Sequence, residues 1–337
     1  MEPQQLRTFV TVVRLGSFSE AARALGYTQS AVSQQIAALE TDLGTAVLHR
    51  RPVGPTEAGA RLVEHASALL LRIDAARADI ARLAGAPSSC LTVGATPLAL
   101  GAEVGRALAE VRRVYPAVDL TLRVLGQDVL PAEVATGAVD LALVDGPAAP
   151  SDPLPLPDVG PLVTVAVAEQ PLAVAVPAGH PLAGRRGQAL ADLSAARWLD
   201  APGLAPTGAR LRAATAVDGY RPAVRYLGTD VRGLLVLVAA GHGLALLPAA
   251  VLADAPGVAA VPVREPRLVH RTELVHGALP EGPAALLARL LTGDRAGERA
   301  EDRAGDRAGE AVGGVDGVPP GAQPTMRASG QQGPSTR

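Results

Sequence analysis

Residues 17–43, SFSEAARALGYTQSAVSQQIAALETDL, constrain the fold more than any other stretch of the chain. Their apolar residues follow two successive helical faces: Phe18, Ala21, Ala22 and Leu25, then Val32, Ile36, Leu39 and Leu43. Ser17 and Glu20 have the spacing of a capping box at the start of the first helix. Gly26 suits a left-handed C-cap, and Thr28 suits the N-cap of the second helix. Two helices joined by a short glycine-containing turn predict a helix-turn-helix.

The second helix is predicted to begin with a polar edge formed by Gln29, Ser30, Ser33 and Gln34. Amide and hydroxyl side chains can read the hydrogen-bond donors and acceptors that the DNA major groove presents. The free backbone N–H groups at the same end of the helix can bind a phosphate. We therefore take these four residues as DNA-binding candidates, together with the capping residues: Ser17 and Thr28. The alternative is an ordinary helical hairpin whose polar face is merely solvated.

The flanking segments support the DNA-binding interpretation. A helix predicted over residues 4–15 carries Leu6, Phe9, Val10 and Val13 at helical spacing and can complete a three-helix core. Arg50 and Arg51 follow the second helix and precede a segment rich in proline and glycine. Beside a helix-turn-helix these arginines are candidates for phosphate or minor-groove contact, whereas elsewhere they would be solvated loop residues.

The first sixty residues resemble the LysR-type transcriptional regulators. The matching segments are LRTFV (6–10), GSFSEAA (16–22), TQSAVSQQI (28–36), LE (39–40), LG (43–44) and TEAG (56–59). The resemblance implies a winged helix-turn-helix that binds double-stranded DNA. The chain departs from that family in a shorter wing and in Ser30, which stands where the family often has proline.

Residues 57–83 predict one long helix. Its apolar residues alternate spacings of four and three, which is a heptad seam: Leu62, Ala66, Leu69, Ile73, Ala76, Ile80 and Leu83. A narrow seam of this length requires a partner, and the resemblance implies a linker helix that pairs two chains. Paired chains would bind half-sites about 34 Å apart. Packing of this helix against its own domain is the alternative.

After a predicted hinge at residues 85–89, the pattern changes to alternating strands and helices, typical of parallel α/β units. Strands are predicted at 91–95, 118–125, 141–144, 162–168, 172–176, 224–227 and 244–247, and helices at 96–114, 129–136, 207–217, 231–240 and 282–291. Thr96 and Pro97 suit the cap and first turn of the first of these helices. Weaker resemblance at 178–183 and 237–248 implies an effector-binding region of two α/β lobes, similar to type 2 periplasmic binding proteins.

These expectations give a multidomain α/β protein. We expect a winged helix-turn-helix domain at 1–59, a linker and dimerisation helix at 60–86, and an effector-binding domain at 90–292. Lobe I would comprise 90–164 and 267–292, and lobe II 165–266, with crossings near 165 and 266. The final segment, 293–337, repeats Arg-Ala with mixed acids and then becomes rich in Gly, Pro and Gln, so we expect a disordered low-complexity tail.

Ligands of open α/β sheets bind beyond the carboxyl ends of the strands. The effector-binding candidates at such positions are Thr96, Gln127, Thr207 and Thr229, each of which can instead be a simple cap. Asp145, Asp200 and Asp230 also follow predicted strands. Carboxylates there would repel an anionic ligand and favour one bearing an amine or hydroxyl groups.

The composition excludes several chemistries. The chain contains no lysine, which excludes a Walker-type phosphate loop and Schiff-base catalysis. Its single cysteine, Cys90, excludes an intramolecular disulfide; it begins an apolar run and is expected to be buried. His270 and His276 are isolated from other metal ligands, and no catalytic or dinucleotide-binding motif is present. We therefore expect no enzyme, no cofactor and no metal site.

A net charge near zero argues mildly against nucleic-acid binding, but arginines gathered on one face can still bind DNA. The reduced cysteine, the lack of a membrane-length apolar run and the lack of a signal peptide indicate a cytoplasmic protein without membrane contact. The expected partners are double-stranded DNA, a small-molecule effector and further copies of the chain as a homodimer or homotetramer. RNA polymerase is a further candidate.

We therefore predict a sequence-specific LysR-type transcriptional regulator controlled by an effector in the cleft between the lobes. The alternative is a bilobal small-molecule binding protein or enzyme whose N-terminal helices serve only oligomerisation.

Overall fold

The computed structural model describes residues 1–84 and 90–293. The predicted hinge at 85–89 and the predicted tail from 294 onwards lie outside the described residues. The N-terminal elements are α1 (Pro3–Leu15), α2 (Phe18–Leu25), α3 (Gln29–Leu43), β1 (Leu48–Arg50), β2 (Val53–Pro55) and α4 (Glu57–Ala84).

Local capping sets the turn between α2 and α3. The Ser17 hydroxyl accepts a hydrogen bond from the Glu20 N–H at 3.3 Å, and the Thr28 hydroxyl accepts one from the Ala31 N–H at 3.2 Å. Gly26 adopts a left-handed conformation with a φ of 71°. The predicted N-caps and C-cap are therefore confirmed, and they fix where each helix begins and ends.

The three short helices enclose one apolar core whose largest members are fully buried: Leu6, Phe9, Ile36 and Leu39. The start of α4 completes this core, because Ala66 is buried in it and Leu62 packs against it. The long helix begins at Glu57 and its first turns belong to the N-terminal core. The expected division at residue 60 therefore does not separate two independently packed parts.

The remaining elements form the α/β region. They are β3 (Cys90–Ala95), α5 (Ala102–Val114), β4 (Asp119–Val124), α6 (Leu130–Ala135), β5 (Leu141–Ala148), β6 (Val163–Pro177), β7 (Gln188–Ala189), β8 (Trp198–Asp200), α7 (Gly208–Thr215), β9 (Pro222–Arg225), α8 (Val231–Ala239), β10 (Ala245–Pro248), α9 (Ala249–Leu252), β11 (Val258–Glu265), β12 (Val269–His276) and α10 (Pro283–Thr292), with a 3₁₀ helix at Leu190–Leu193. Helices α6, α7, α8 and α10 each begin within a residue of the predicted start.

The main sheet has the strand order β4-β3-β5-β12-β6-β11-β7, and β10 also pairs with β6. Strands β4, β3 and β5 are parallel, but β12 runs antiparallel to both of its neighbours. The expectation of parallel units alone is therefore wrong at the centre of the sheet. Neither β11 nor β12 was predicted from the sequence pattern.

Strand β6 joins two parts of the sheet. It was predicted as two strands but is continuous. It pairs with β12 up to Pro171, with β10 from Leu172 and with β11 from Ala173. The crossing expected near 165 therefore lies at Pro171. The chain returns between Glu265 and Val269, where β11 ends and β12 begins. We call the β3-β4-β5-β12 side lobe I and the β10-β11 side lobe II.

Two local expectations are wrong. Thr96 does not cap a helix through Pro97: residues 97–99 form a turn, and α5 begins at Ala102 with Gly101 as its N-cap. Cys90 is exposed, because it lies at the first position of β3 rather than in its buried centre. Within the two described stretches, no helix is both long enough and apolar enough to span a membrane.

Candidate nucleic-acid interface and interlobe cleft

The polar edge of α3 faces outward. Gln29, Ser30 and Gln34 are exposed, and Ser33 is half-buried. Their contacts are local: Gln29 accepts a hydrogen bond from the Ser19 hydroxyl at 3.2 Å, and the hydroxyls of Ser30 and Thr28 are 3.0 Å apart. Local hydrogen bonds therefore orient the side chains of this polar edge while leaving them accessible to a partner.

The two capping residues lie at the same end of the helix pair. Ser17 is half-buried and Thr28 is exposed. Both hydroxyls accept capping hydrogen bonds that orient α2 and α3, and each also carries a proton that a hydroxyl can donate.

The wing is a hairpin in which Arg50 pairs with Val53, so Arg51 and Pro52 form its turn. Arg51 is exposed at this tip. The Arg50 guanidinium instead lies 5.1 Å from the centre of the Phe18 ring and donates a hydrogen bond to Glu40 at 3.2 Å. The two arginines are thus not equivalent, because Arg50 is attached to the body of the domain.

Glu40 is a positioning residue that the sequence analysis did not identify. Besides Arg50, its carboxylate accepts hydrogen bonds from the backbone N–H groups of Val47 and Leu48, at 3.0 and 3.3 Å. It therefore joins α3 to the first strand of the wing. No spacing rule in the sequence points to this contact.

The predicted seam of α4 is divided between two environments. Leu62 and Ala66 pack into their own N-terminal core, as the alternative interpretation expected. Leu69, Ala76 and Ile80 are exposed and Ile73 is half-buried, while the side chain of Leu83 lies outside the described residues. The part of the seam that remains open to a partner therefore begins at Leu69.

A cavity of about 580 Å³ lies between the lobes. Three of the predicted effector-binding residues line it: Thr96, Gln127 and Thr207. Thr229 does not; it is exposed in the loop before α8. The strand-end rule therefore holds for Thr207, which follows β8, but not for Thr229, which follows β9 of the same two-stranded sheet.

The three predicted acids are also separated. Asp145 lines the cavity. Asp200 instead pairs with Arg225, 3.3 Å away, and Asp230 caps α8 by accepting hydrogen bonds from the N–H groups of residues 232 and 233. The predicted cluster of three carboxylates therefore does not form, and of these three acids only Asp145 lines the cavity, where Asp128 is a second carboxylate.

Sequence reasoning missed several residues of the cavity, and two of them make polar contacts there. His270, on β12, lies with its Nε2 3.6 Å from Oδ2 of Asp145. Arg210, in the first turn of α7, donates a hydrogen bond to Oε1 of Gln127 at 3.4 Å. Arg210 follows the predicted cap Thr207 by one helical turn, so the sequence could have placed Arg210 beside the cavity. Nothing in the local sequence connects His270 with Asp145.

A second charged group lies beside His270. Arg271 binds the carboxylates of Glu169 and Glu273. Burial alone would lower the pKa of Arg271, but its hydrogen bonds to Glu273 and Glu169 outweigh that effect and raise the pKa. The Arg271 charge is therefore neutralised within this network. No group of three or more metal-ligating side chains occurs among the described residues.

Sequence comparison matches two family models to this chain. Residues 3–60 match the bacterial regulatory helix-turn-helix protein, lysR family, and residues 84–289 match the LysR substrate binding domain. A probable hydrogen peroxide-inducible genes activator of Mycobacterium avium is 36% identical over 56% of this chain and 59% of its own length. The HTH-type transcriptional regulator GltR of Bacillus subtilis (strain 168) is 31% identical over 75% of this chain and 82% of its own length. The crystal structure of full-length BenM covers 88% of this chain and 98% of its own, with 25% identity and a TM-score of 0.48.

Proposed function

Because this chain belongs to the LysR family of transcriptional regulators, we propose a separate function for each of its described regions. The chain is a regulator with a helix-turn-helix and an effector-binding domain, and not an enzyme. The alternative of a binding protein or enzyme with merely structural N-terminal helices fails, because residues 3–60 themselves match the lysR-family helix-turn-helix model. We keep the proposed domains at 1–59, 60–86 and 90–292 as functional regions, although the first turns of α4 pack into the N-terminal core.

The observation that carries the proposal is the exposed polar edge at the start of α3. Gln29, Ser30, Ser33 and Gln34 enter the major groove and read base edges. The buried stripe of the same helix, which includes Val32 and Ile36, fixes the edge on the three-helix core. Recognition therefore uses side chains whose direction is set by packing.

The wing binds the DNA backbone. Arg51, exposed at the tip of the hairpin, contacts a phosphate or the minor groove, and Arg50 contributes while it remains attached to Glu40 and Phe18. Such contacts position the protein without selecting a sequence.

Members of this family bind DNA and form oligomers, and we propose that this chain acts as a homodimer or homotetramer through the open part of the α4 seam. A small-molecule effector in the interlobe cavity favours one arrangement of the lobes and so changes DNA affinity. RNA polymerase is a further proposed partner. We also propose that the protein acts in the cytoplasm, because a regulator of this kind must reach the DNA.

A gel-shift experiment tests base reading directly. The full chain is titrated with DNA flanking its own gene and with random DNA of equal length. We expect the Ser33→Ala/Gln34→Ala double variant to lose about tenfold or more in specific affinity, because lost base contacts cost about 1–3 kcal/mol per position. Its binding to random DNA should change little.

Two further variants make the result specific. Thr41→Ala, which removes an exposed polar side chain farther along α3, is the matched control and should leave both affinities unchanged. Arg51→Gln should weaken binding to both DNAs alike and lower the salt dependence by about one phosphate contact. An equal loss on random DNA for the double variant would contradict base reading.

A further inference from the structure

Three buried side-chain atoms in the described part of the chain have no hydrogen-bond partner: Gln127 Nε2, Asp145 Oδ2 and His270 Nε2. All three residues line the interlobe cavity. Leaving a buried donor or acceptor unpaired costs free energy, so buried polar groups in folded proteins are nearly always paired. Their concentration in one cavity indicates that a ligand pairs with them.

Asp145 and His270 form one side of this polar set. Their side chains are only 10% and 7% exposed, and the 3.6 Å between Oδ2 and Nε2 is too long for a good hydrogen bond. In the antiparallel pairing of β5 with β12, Asp145 lies opposite Thr272, and Pro147 lies opposite His270. Asp145 and His270 are therefore diagonal neighbours on one face of the sheet.

A hydroxyl group satisfies both of these side chains at once. It can accept a hydrogen bond from an imidazole N–H and donate its own proton to the Asp145 carboxylate. Arg271 does not replace such a ligand as the partner of Asp145, because its guanidinium is already bound to Glu169 and Glu273.

The other polar side of the cavity contains two donor residues, Arg210 and Gln127, beside the carboxylate of Asp128. Arg210 donates to Oε1 of Gln127, which leaves the Nε2 of that amide as a donor without a protein acceptor. No carboxylate within the described ranges pairs with Arg210, and the first turn of α7 adds the positive end of a helix dipole. An arginine and an amide donor at a helix N-terminus suit a carboxylate ligand.

We propose that the effector is a small organic acid that also carries a hydroxyl group. Arg210 and Gln127 bind its carboxylate, and Asp145 and His270 bind its hydroxyl. A cavity of about 580 Å³ is within the usual range for small-molecule sites. The proposal rests on the proposed function, since it takes this cavity as the effector site.

Isothermal titration of the full chain with matched acids tests the proposal. The pairs are malate with succinate, lactate with propionate, and 4-hydroxybenzoate with benzoate. We expect a hydroxy acid to bind about tenfold or more tightly than its matched acid without the hydroxyl, because a buried polar site rejects an analogue that leaves it unpaired. Equal affinities within all three pairs, or no binding by any hydroxy acid, would overturn the proposal.

Variants identify the residues responsible. Asp145→Leu and His270→Phe should each bring the paired affinities close to parity while leaving the affinity for the acid without the hydroxyl within about twofold. Arg210→Met should weaken binding of both members of a pair. Asp200→Leu removes a strand-end acid outside the cavity and should keep the full preference for the hydroxy acid. If either cavity single variant unfolds, the Asp145→Leu/His270→Phe double variant is used, because it leaves neither group unpaired.

A parallel gel-shift separates this proposal from the proposed function. Loss of sequence preference on DNA contradicts the base-reading role, whatever the acids do. Specific DNA binding combined with equal affinities within every pair contradicts only the hydroxy-acid proposal. Retention of the full preference for the hydroxy acid in both Asp145→Leu and His270→Phe would also contradict it.

Discussion

Gly59 lies where the first turn of α4 meets the segment leading into the wing. A Cβ at this position would overlap the carbonyl oxygen of Val47, which is backbone and cannot move independently. Gly105, in the middle of α5, is also helical, but a Cβ there would meet nothing within 4 Å. The two helical glycines therefore differ in effect. Gly59 allows α4 to approach the backbone of Val47 closely, whereas Gly105 makes no such approach possible and only weakens α5.

Substitution by alanine should therefore have opposite signs at these positions. We expect Gly59→Ala to lower the free energy of unfolding by about 1–3 kcal/mol through overpacking. Gly105→Ala should raise it by about 0.5–1 kcal/mol, because alanine costs less conformational entropy in a helix. Chemical denaturation of both variants measures the difference. A stabilised Gly59→Ala variant would mean that α4 is not seated against Val47.

The interlobe cavity shows which residues a sequence can reveal. Thr96, Gln127 and Thr207 were found because each lies just after a strand or before a helix, and the topology of α/β sheets brings such positions together. His270 was missed because its contact with Asp145 depends on the pairing of β12 with β5. No local pattern encodes that pairing, so isolated histidines in a sequence carry little information about their neighbours.

At the scale of elements, local signals predicted helices better than central strands. Helices α2 and α3 contain their own caps and apolar stripes, so their positions follow from adjacent residues. Strand β12 contains Arg271 and Glu273, which make it look polar, although Glu273 is only 1% exposed. The two charges neutralise each other, together with Glu169 on β6, and this compensation is visible only after the strands have paired.

The heptad seam of helix α4 packs into the N-terminal core at its start and is exposed farther along. Its first positions, Leu62 and Ala66, are used by the N-terminal core, and periodicity alone could not distinguish that packing from pairing with another chain. Farther along, Leu69 is 42% exposed and Ile80 is 68% exposed. Apolar side chains of this size that remain exposed at heptad spacing favour contact with a second helix.

We therefore expect Leu69→Asp and Ile80→Asp to weaken oligomer formation, because each would place a charge in the apolar seam. Sedimentation at a series of protein concentrations should show the dissociation constant rising by about tenfold or more, the equivalent of about 1.4 kcal/mol. Ser67→Asp adds the same charge at an exposed position of α4 outside the seam and should leave assembly unchanged. If none of the three substitutions changed the dissociation constant of the oligomer, the interface would lie outside this seam.

At the scale of the whole molecule, one turn of α4 contacts both functional regions. Asp74 forms an ion pair with Arg7 of α1, and Arg72 forms one with Asp158 at 2.6 Å. Ala75 is buried beside residues 135 and 159. The segment that carries Asp158 is tied in turn to β12, because the N–H of Leu154 donates to the Glu273 carboxylate.

A continuous set of contacts therefore joins the interlobe cavity to the helix-turn-helix core, and its energetic role can be measured. If an effector changes DNA affinity by some factor, DNA must change effector affinity by the same factor. We expect Asp158→Asn to bring that factor towards one, while the affinity for either ligand alone stays within about twofold. The substitution removes the charge that pairs with Arg72, and Asp158 is not among the residues that line the interlobe cavity.

The measurement is a set of DNA titrations with and without a saturating hydroxy acid, repeated in the reverse order. Asp152→Asn, which changes an exposed acid of the same segment, is the matched control and should keep the full coupling factor. Allosteric coupling between two binding sites in proteins is typically about 5–150-fold, so a substantial reduction of the factor is measurable. An unchanged factor in Asp158→Asn would show that the effector signal reaches DNA without the Arg72–Asp158 contact, leaving lobe rearrangement within the oligomer as the route.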